Sequence, residues 1–452
     1  MPVALPAALD ELARTATLLW HGRDNLVRIW PDEAFEWSMF SHRFVFRDVF
    51  VVNNPQGVRH VLATNVENYR KSVYTERVLK PLVGDGLFIS HGELWRRQRR
   101  IATPAFHRSR VREFARVMVD TAREMVERWA TLEPGTEIEV TREMAEVTME
   151  VVARTMFSGD LGPARTTEVF EAFGHYQETL GRLDILEMIG LPRWLPRLDA
   201  HRARDAVRRL DAVLDDILRK READHLPRED LLELLMRAED PETGQRMSRR
   251  LLRDEAAVII LAGHETTANA LGWALYLLGT APEIEARLHA EVDGVLGGRD
   301  PTFDDLPAVP YARAVIDETL RLYPPVHVFS REAQADDQIG KRRVRAGSMV
   351  VIAPWLLHRH RKHWREPDVF RPERFLPPEA DERPKLCYLP FGAGPRTCIG
   401  SGFGLAEATL ILVMMAQRFR LRLREGHPVE PLGRLTLRPH RGLPMRLEPR
   451  GR

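Results

Sequence analysis

Cysteine is almost missing from this chain of 452 residues, which has only Cys387 and Cys398. Two thiols cannot build the cross-linked framework of a small secreted protein. A charge excess of one sign is missing too: 67 Lys and Arg face 65 Asp and Glu, for a formal net charge of +2. That balance argues against a nucleic-acid partner. Long hydrophobic runs are also lacking. A membrane-crossing helix needs about 20 mostly apolar residues, but Pro6, Asp10, Glu11 and Arg14 interrupt the N-terminal stretch, and runs such as 256–262 and 410–416 are far too short. The N-terminus has neither the basic start nor the unbroken apolar block of a signal peptide. The expectation is a cytoplasmic protein with no membrane anchor. No Gly/Ser linker, repeat or low-complexity tract marks a boundary, so residues 1–452 are expected to form one domain, with a monomer as the default.

Helical periodicity is what the chain does have, and its 44% hydrophobic residues suffice for a sizeable core. Amphipathic stretches over 111–130, 141–157, 200–223 and 249–278 read as long helices. The β-rich run 44–52 reads as a short hairpin broken at Arg47-Asp48. Asn54-Pro55 then supplies an N-cap and a first helical position. Between two helices, 181–196 carries Leu186, Met188, Ile189, Trp194 and Leu195. It is either a connection packed on the core or an apolar lid over a ligand entrance. Beyond Pro324, short β-type runs such as 348–352 alternate with Pro- and Arg-rich loops. An apolar helix over 405–418 follows Cys398, and 434–447 reads as a terminal hairpin. The expected fold class is mainly α with a smaller β part, located at about 40–55, 325–360 and 430–448.

The segment Phe391-Gly-Ala-Gly-Pro-Arg-Thr-Cys-Ile-Gly400 is the most informative. A thiolate that holds iron beneath a flat macrocycle needs glycines for a tight turn and N–H groups aimed at the sulfur. Gly392, Gly394 and Gly400 are placed for that. Arg396 can neutralise an acidic edge, a following helix start stabilises the negative sulfur, and Phe391 can shield it from water. Nothing comparable surrounds Cys387, which reads as a buried small hydrophobe.

This segment resembles the F-x-x-G-x-R-x-C-x-G loop of the cytochrome P450 superfamily at every fixed position. The resemblance implies the cytochrome P450 fold, haem b as cofactor and Cys398 as the axial iron ligand, with electron donation from the thiolate favouring O–O cleavage. Other segments add to it. Ala262-Gly-His-Glu-Thr-Thr267 interrupts an apolar helix and is similar to the family's oxygen-activating motif. There Ala262 and Thr266 share one face, and the implied roles are dioxygen hydrogen bonding by Thr266 and proton supply by Glu265. The alternative for those threonines is back-bonding to helix carbonyls. Glu318-Thr-Leu-Arg321 and Pro372-Glu-Arg-Phe375 resemble the E-x-x-R helix and P-E-R-F loop, which implies a structural network of Glu318, Arg321 and Arg374. Trp95 and Arg99 resemble a W-x-x-x-R element that, with Arg331, would bind haem propionates. By similarity the pocket falls to Phe88, Ala262, Thr266, Val326, Val328, Phe329 and Leu435.

The implied activity is a haem-thiolate monooxygenase that inserts one atom of O2 into a hydrophobic substrate such as a fatty acid, alkane, terpenoid or steroid. Little chain follows Cys398, so electrons from NAD(P)H are expected through a separate ferredoxin or flavodoxin and its reductase. Arg96, Arg97, Arg100, Arg361 and Lys362 are candidates for a basic docking face. Two alternatives remain open: a peroxide-using, isomerase or dehydratase haem-thiolate enzyme, and a haem carrier without catalysis.

Overall fold

The computed structural model describes residues 25–44, 47–158, 200–224 and 228–451, with a few isolated positions outside those ranges. The segment 181–196 and nearly all of the chain before Asn25 lie outside the described residues. In chain order the longer helices are α1 (Val73–Val83), α2 (Gly92–Ala102), α3 (Arg108–Ala130), α4 (Val140–Phe157), α5 (Ala200–Asp224), α6 (Arg249–Thr280), α7 (Pro282–Leu296), α8 (Pro310–Leu322) and α9 (Ser401–Arg418). The architecture is mainly helical with small sheets, as expected.

Helix α6 is the central element. Ser248 caps it by accepting the Leu251 N–H, and its buried residues run from Leu251 to Leu278 on every face. The amphipathic reading is corrected here: α6 is enclosed on all sides, with the polar Asp254, Glu255, His264 and Glu265 among its buried residues. An amphipathic helix would bury one face. Helix α4 packs along it, tied by the Thr148 hydroxyl donating to the His264 carbonyl at 3.0 Å. Helix α3 buries Val111, Phe114, Ala115, Met118, Ala122, Met125, Val126 and Trp129. The three-and-four spacing of these residues makes one stripe, which packs on α9. Each such large apolar side chain contributes about 1.5–3 kcal/mol by leaving water.

The largest sheet has five strands in the order β1 (Met39–Phe44), β2 (Arg47–Val52), β8 (Met349–Ile352), β5 (Phe329–Ala333), β3 (Tyr69–Lys71). Its first hairpin corrects the expected position of the turn. Phe44 pairs with Arg47, so Arg47 and Asp48 lie inside β2 and not at a break between the strands. Polar residues are tolerated there because Arg47 bonds Glu332 and the Gly347 carbonyl, while Asp48 faces Arg43. Asn54 caps the helix Pro55–Arg59 as expected, accepting the Gly57 N–H.

The terminal hairpin is also corrected. Strands β10 (Pro431–Gly433) and β11 (Leu437–Pro439) form it, while β12 (Pro444–Pro449) leaves to lie between β4 (Glu137–Glu139) and β9 (Phe419–Leu423). Met445 and Leu447 are buried in that second sheet and Arg446 points outward, so burial on one face sets where β12 goes. A further pair, β6 (Asp337–Ile339) with β7 (Arg342–Val344), completes the β part.

Candidate active site

The chain between α8 and Cys398 is anchored before it reaches the cysteine. Glu318 and Arg321 on α8 are fully buried and form a two-point ion pair at 2.6 and 2.8 Å. The remaining Arg321 donors reach the carbonyls of His358, Pro367 and Val369. Arg374 adds a contact to Glu318 at 3.3 Å and bonds the carbonyls of Arg365 and Glu366. The loop is then held twice more: the Leu389 N–H donates to His358 Nε2 at 2.9 Å, and the Tyr388 hydroxyl donates to the Asp317 carbonyl at 3.0 Å.

From Leu389 the chain folds into a tight loop. Gly392 and Gly394 both sit at φ +71°, in the left-handed region that favours glycine. A Cβ on Gly394 would lie 1.9 Å from the Leu62 carbonyl oxygen, so only glycine fits that approach. The Cys398 N–H donates to the Phe391 carbonyl at 2.9 Å. Gly400 differs from the other two: its φ is −87° and it serves as N-cap of α9. What it offers is its N–H toward the Cys398 sulfur. Burial raises the Cys398 thiol, while that N–H and the charge of Arg99 lower it.

Cys398 opens into a cavity of about 1940 Å³. Phe88, Ala262, Thr266, Val326, Val328, Phe329 and Leu435, all expected for the pocket, line it, and so do Phe391, Gly392, Arg396, Gly400, Trp95, Arg99 and Arg331. Phe88 and Val326 rank among the exposed large hydrophobics because they face this space. On α6, the Thr266 hydroxyl donates to the Ala262 carbonyl at 2.8 Å, so the back-bonded arrangement is present while the side chain still lines the cavity. Neighbouring Glu265 is buried and accepts the Thr436 hydroxyl at 2.5 Å.

At one end of the cavity several cations gather. The Arg396 guanidinium stacks 4.4 Å above the Trp95 ring and donates to the Ser90 carbonyl. Arg331 is buried and, among the described residues, donates to one backbone carbonyl, that of Ser330. Burial pushes both down to about 10. Burial also lowers Arg99, against the pull of Cys398. Burial first, then Arg331 and Arg396, drive Lys71 well below its ordinary value.

The family model described as Cytochrome P450 matches residues 32–443. This chain belongs to the cytochrome P450 family. The P450 is 39% identical over 392 residues to "Cyclooctatin synthase" of Streptomyces melanosporofaciens, covering 86% of this chain and 84% of the relative. It is 37% identical over 414 residues to "Cyclooctat-9-en-7-ol 5-monooxygenase" of the same organism, covering 90% and 84%. It is 31% identical over 438 residues to "Pentalenene oxygenase" of Streptomyces avermitilis, covering 96% and 92%. It is a P450 monooxygenase, and the family implies haem.

The residues present fit that group. A thiol faces an open space, and four cations that line it, the buried Arg331 and the half-buried Lys71, Arg99 and Arg396, form no ion pair with a carboxylate of the described residues. Desolvated cations without a counter-charge are costly, and two propionates would supply one. The sequence reading missed Lys71, a lone lysine on a three-residue strand with no motif around it. Thr436, which orients Glu265 from the β10–β11 hairpin, was missed for the same reason. Of the docking-face candidates, Arg96, Arg100 and Arg361 are each paired with acidic neighbours, which offsets their charge locally. Cys387 is buried, as expected. Among the described residues no helix is long and apolar enough to cross a membrane.

Proposed function

We propose that this P450 hydroxylates a hydrophobic terpenoid, held against Phe88, Val326, Val328, Phe329 and Leu435, over a haem ligated by Cys398. The cavity carries the reading. A small-molecule site is roughly 300–1,000 Å³, so about 1940 Å³ leaves room for both a macrocycle and a second apolar molecule. The names of relatives, a cyclooctat-9-en-7-ol monooxygenase and a pentalenene oxygenase, support the terpenoid class over fatty acids or steroids.

When bound, the haem supplies the dioxygen chemistry that side chains lack. Trp95, Arg99, Arg331 and Arg396, joined by Lys71, would hold its propionates. The Gly400 N–H steadies the sulfur as thiolate, and Phe391 keeps water from it. Thr266 would act at the oxygen side: its hydroxyl oxygen can accept a bond from a water in the cavity, and rotating off the Ala262 carbonyl frees its proton to be given there. Glu265, oriented by Thr436, would restore that proton. The apolar lining excludes bulk water and orients the substrate. We place the chain in the cytoplasm as a single-domain monomer, served with NAD(P)H electrons by a separate ferredoxin or flavodoxin and its reductase.

A spin-state titration tests the substrate class. Cyclic terpenes and terpene alcohols should shift the iron from low to high spin at lower concentration than dodecanoic acid or testosterone. A preference for either of the latter would overturn the terpenoid assignment. Product formation driven by peroxide as well as by NAD(P)H with a redox pair would favour the peroxide-using alternative.

A further inference from the structure

Ten residues before Glu265, α6 carries a second buried acid that the monooxygenase reaction does not use. The carboxyl of Glu255 is buried and accepts the backbone N–H of Leu87 on both oxygens, at 3.0 and 3.1 Å. Its neighbour Asp254, also buried, accepts the Asp85 N–H at 2.8 Å. Between these bonds the chain lies flat on the helix. A Cβ on Gly84 would fall 2.1 Å from the Asp254 carboxyl carbon, and one on Gly86 would fall 2.7 Å from Val258 Cγ2. The next residue is Phe88, whose ring lines the cavity and carries the Lys71 ammonium 3.6 Å from its centroid on one face.

Glu255 forms no ion pair with a cation of the described residues. Burial, and then the charge of Asp254, raise it to about 8, while the Leu87 N–H opposes that rise. An apolar residue of similar shape would avoid the desolvation of a buried acid. What the carboxyl adds is an acceptor for the part-buried Leu87 N–H, which pairs with no other acceptor of the described residues.

We infer that Glu255 is a positioning residue for the P450 pocket: by holding the Leu87 N–H it fixes the turn that presents the Phe88 ring to the cavity, and so governs which bulky ligands fit above the haem. This rests on the placement of Phe88 over the reacting centre proposed above. Glu255 acts through Phe88 and touches no substrate itself.

The test compares two iron-coordinating probes on the haem-loaded protein, imidazole and 1-phenylimidazole. Imidazole is too small to reach Phe88, so the ratio of the two dissociation constants reads the space near that ring. Glu255→Leu should change this ratio by about fivefold, the scale of one net hydrogen bond. Glu255→Gln keeps an acceptor oxygen and should stay close to the wild type. In a Phe88→Ala background, Glu255→Leu should have no further effect, because the two act in series.

A ratio that moves with Phe88→Ala but not with Glu255→Leu overturns the role of Glu255 alone. A ratio unmoved by Phe88→Ala overturns the placement of Phe88 and this inference with it. If Glu255→Leu does not fold, hydrogen exchange of the wild-type Leu87 amide decides. Slow exchange supports the clamp, and exchange at the rate of an open loop overturns it.

Discussion

Arg321 lays its guanidinium against both oxygens of Glu318, at 2.6 and 2.8 Å, where solvent reaches neither side chain. Removing one member leaves the other charge buried and alone, which costs about 3–5 kcal/mol. Arg321→Ala should therefore lower the urea midpoint sharply and reduce the fraction of protein carrying haem, since the same guanidinium holds the carbonyls of His358, Pro367 and Val369. Arg321→Lys should recover little of the loss, because an ammonium cannot reproduce the planar fork. A midpoint within error of the wild type for Arg321→Ala would show that the pair does not support the cysteine loop.

Gly394 allows no side chain. Its φ of +71° and the Leu62 carbonyl 1.9 Å from a hypothetical Cβ act together. Gly394→Ala should carry about 1–3 kcal/mol of backbone strain plus the overlap with Leu62. The reduced carbon monoxide complex should lose the far-red Soret band of thiolate ligation while far-ultraviolet circular dichroism is retained. An unchanged band would mean that the loop can relax.

Phe88→Ala should shift the position of oxidation on any accepted cyclic terpene. One hydrophobic contact in a pocket discriminates by roughly tenfold or more, so the ratio of regioisomers read by gas chromatography should move by that order. An identical product pattern would remove Phe88 from the substrate site.

Thr266→Val removes the hydroxyl and keeps the shape. Product formation per molecule of NAD(P)H consumed should fall on the order of 10², the scale of one acid–base group, with haem content unchanged. Thr436→Val should have a smaller effect in the same direction, since it removes the bond to Glu265. Full coupling in Thr266→Val would assign the proton delivery elsewhere.

Glu255 makes stability depend on pH in a definite sense. Its folded value, about 8, lies above the ordinary 4.5, so the folded state binds more protons than the unfolded one between these values. Its contribution is present in full below about 4.5 and is lost as pH rises toward about 8. Glu255→Gln does not titrate. The stability difference between Glu255→Gln and the wild type should therefore shift in favour of the variant across that window, as measured by urea unfolding at several pH values. A difference independent of pH would show that Glu255 ionises normally in the fold.

Local pattern determined much of this protein. The stripe of α3, the existence and extent of α6 as a long helix, the Asn54 cap and the spacing of the cysteine loop depend on residues close in sequence, so they were readable without coordinates. The β9 strand, Phe-Arg-Leu-Arg-Leu, also alternates and was there to be found, whereas β3 and β4 are three residues each and too short for any period to show.

What the tertiary structure alone decided is who meets whom. The Leu87 N–H finds Glu255, and Thr436 finds Glu265, across more than a hundred positions of chain. Lys71 joins three arginines that belong to three other segments. The hairpins moved for the same reason: β12 goes where Met445 and Leu447 can be buried, and Arg47 stays in its strand because Glu332 is beside it. Long-range partners compensate buried polar groups and edge strands, and no periodicity along the chain encodes which partner arrives.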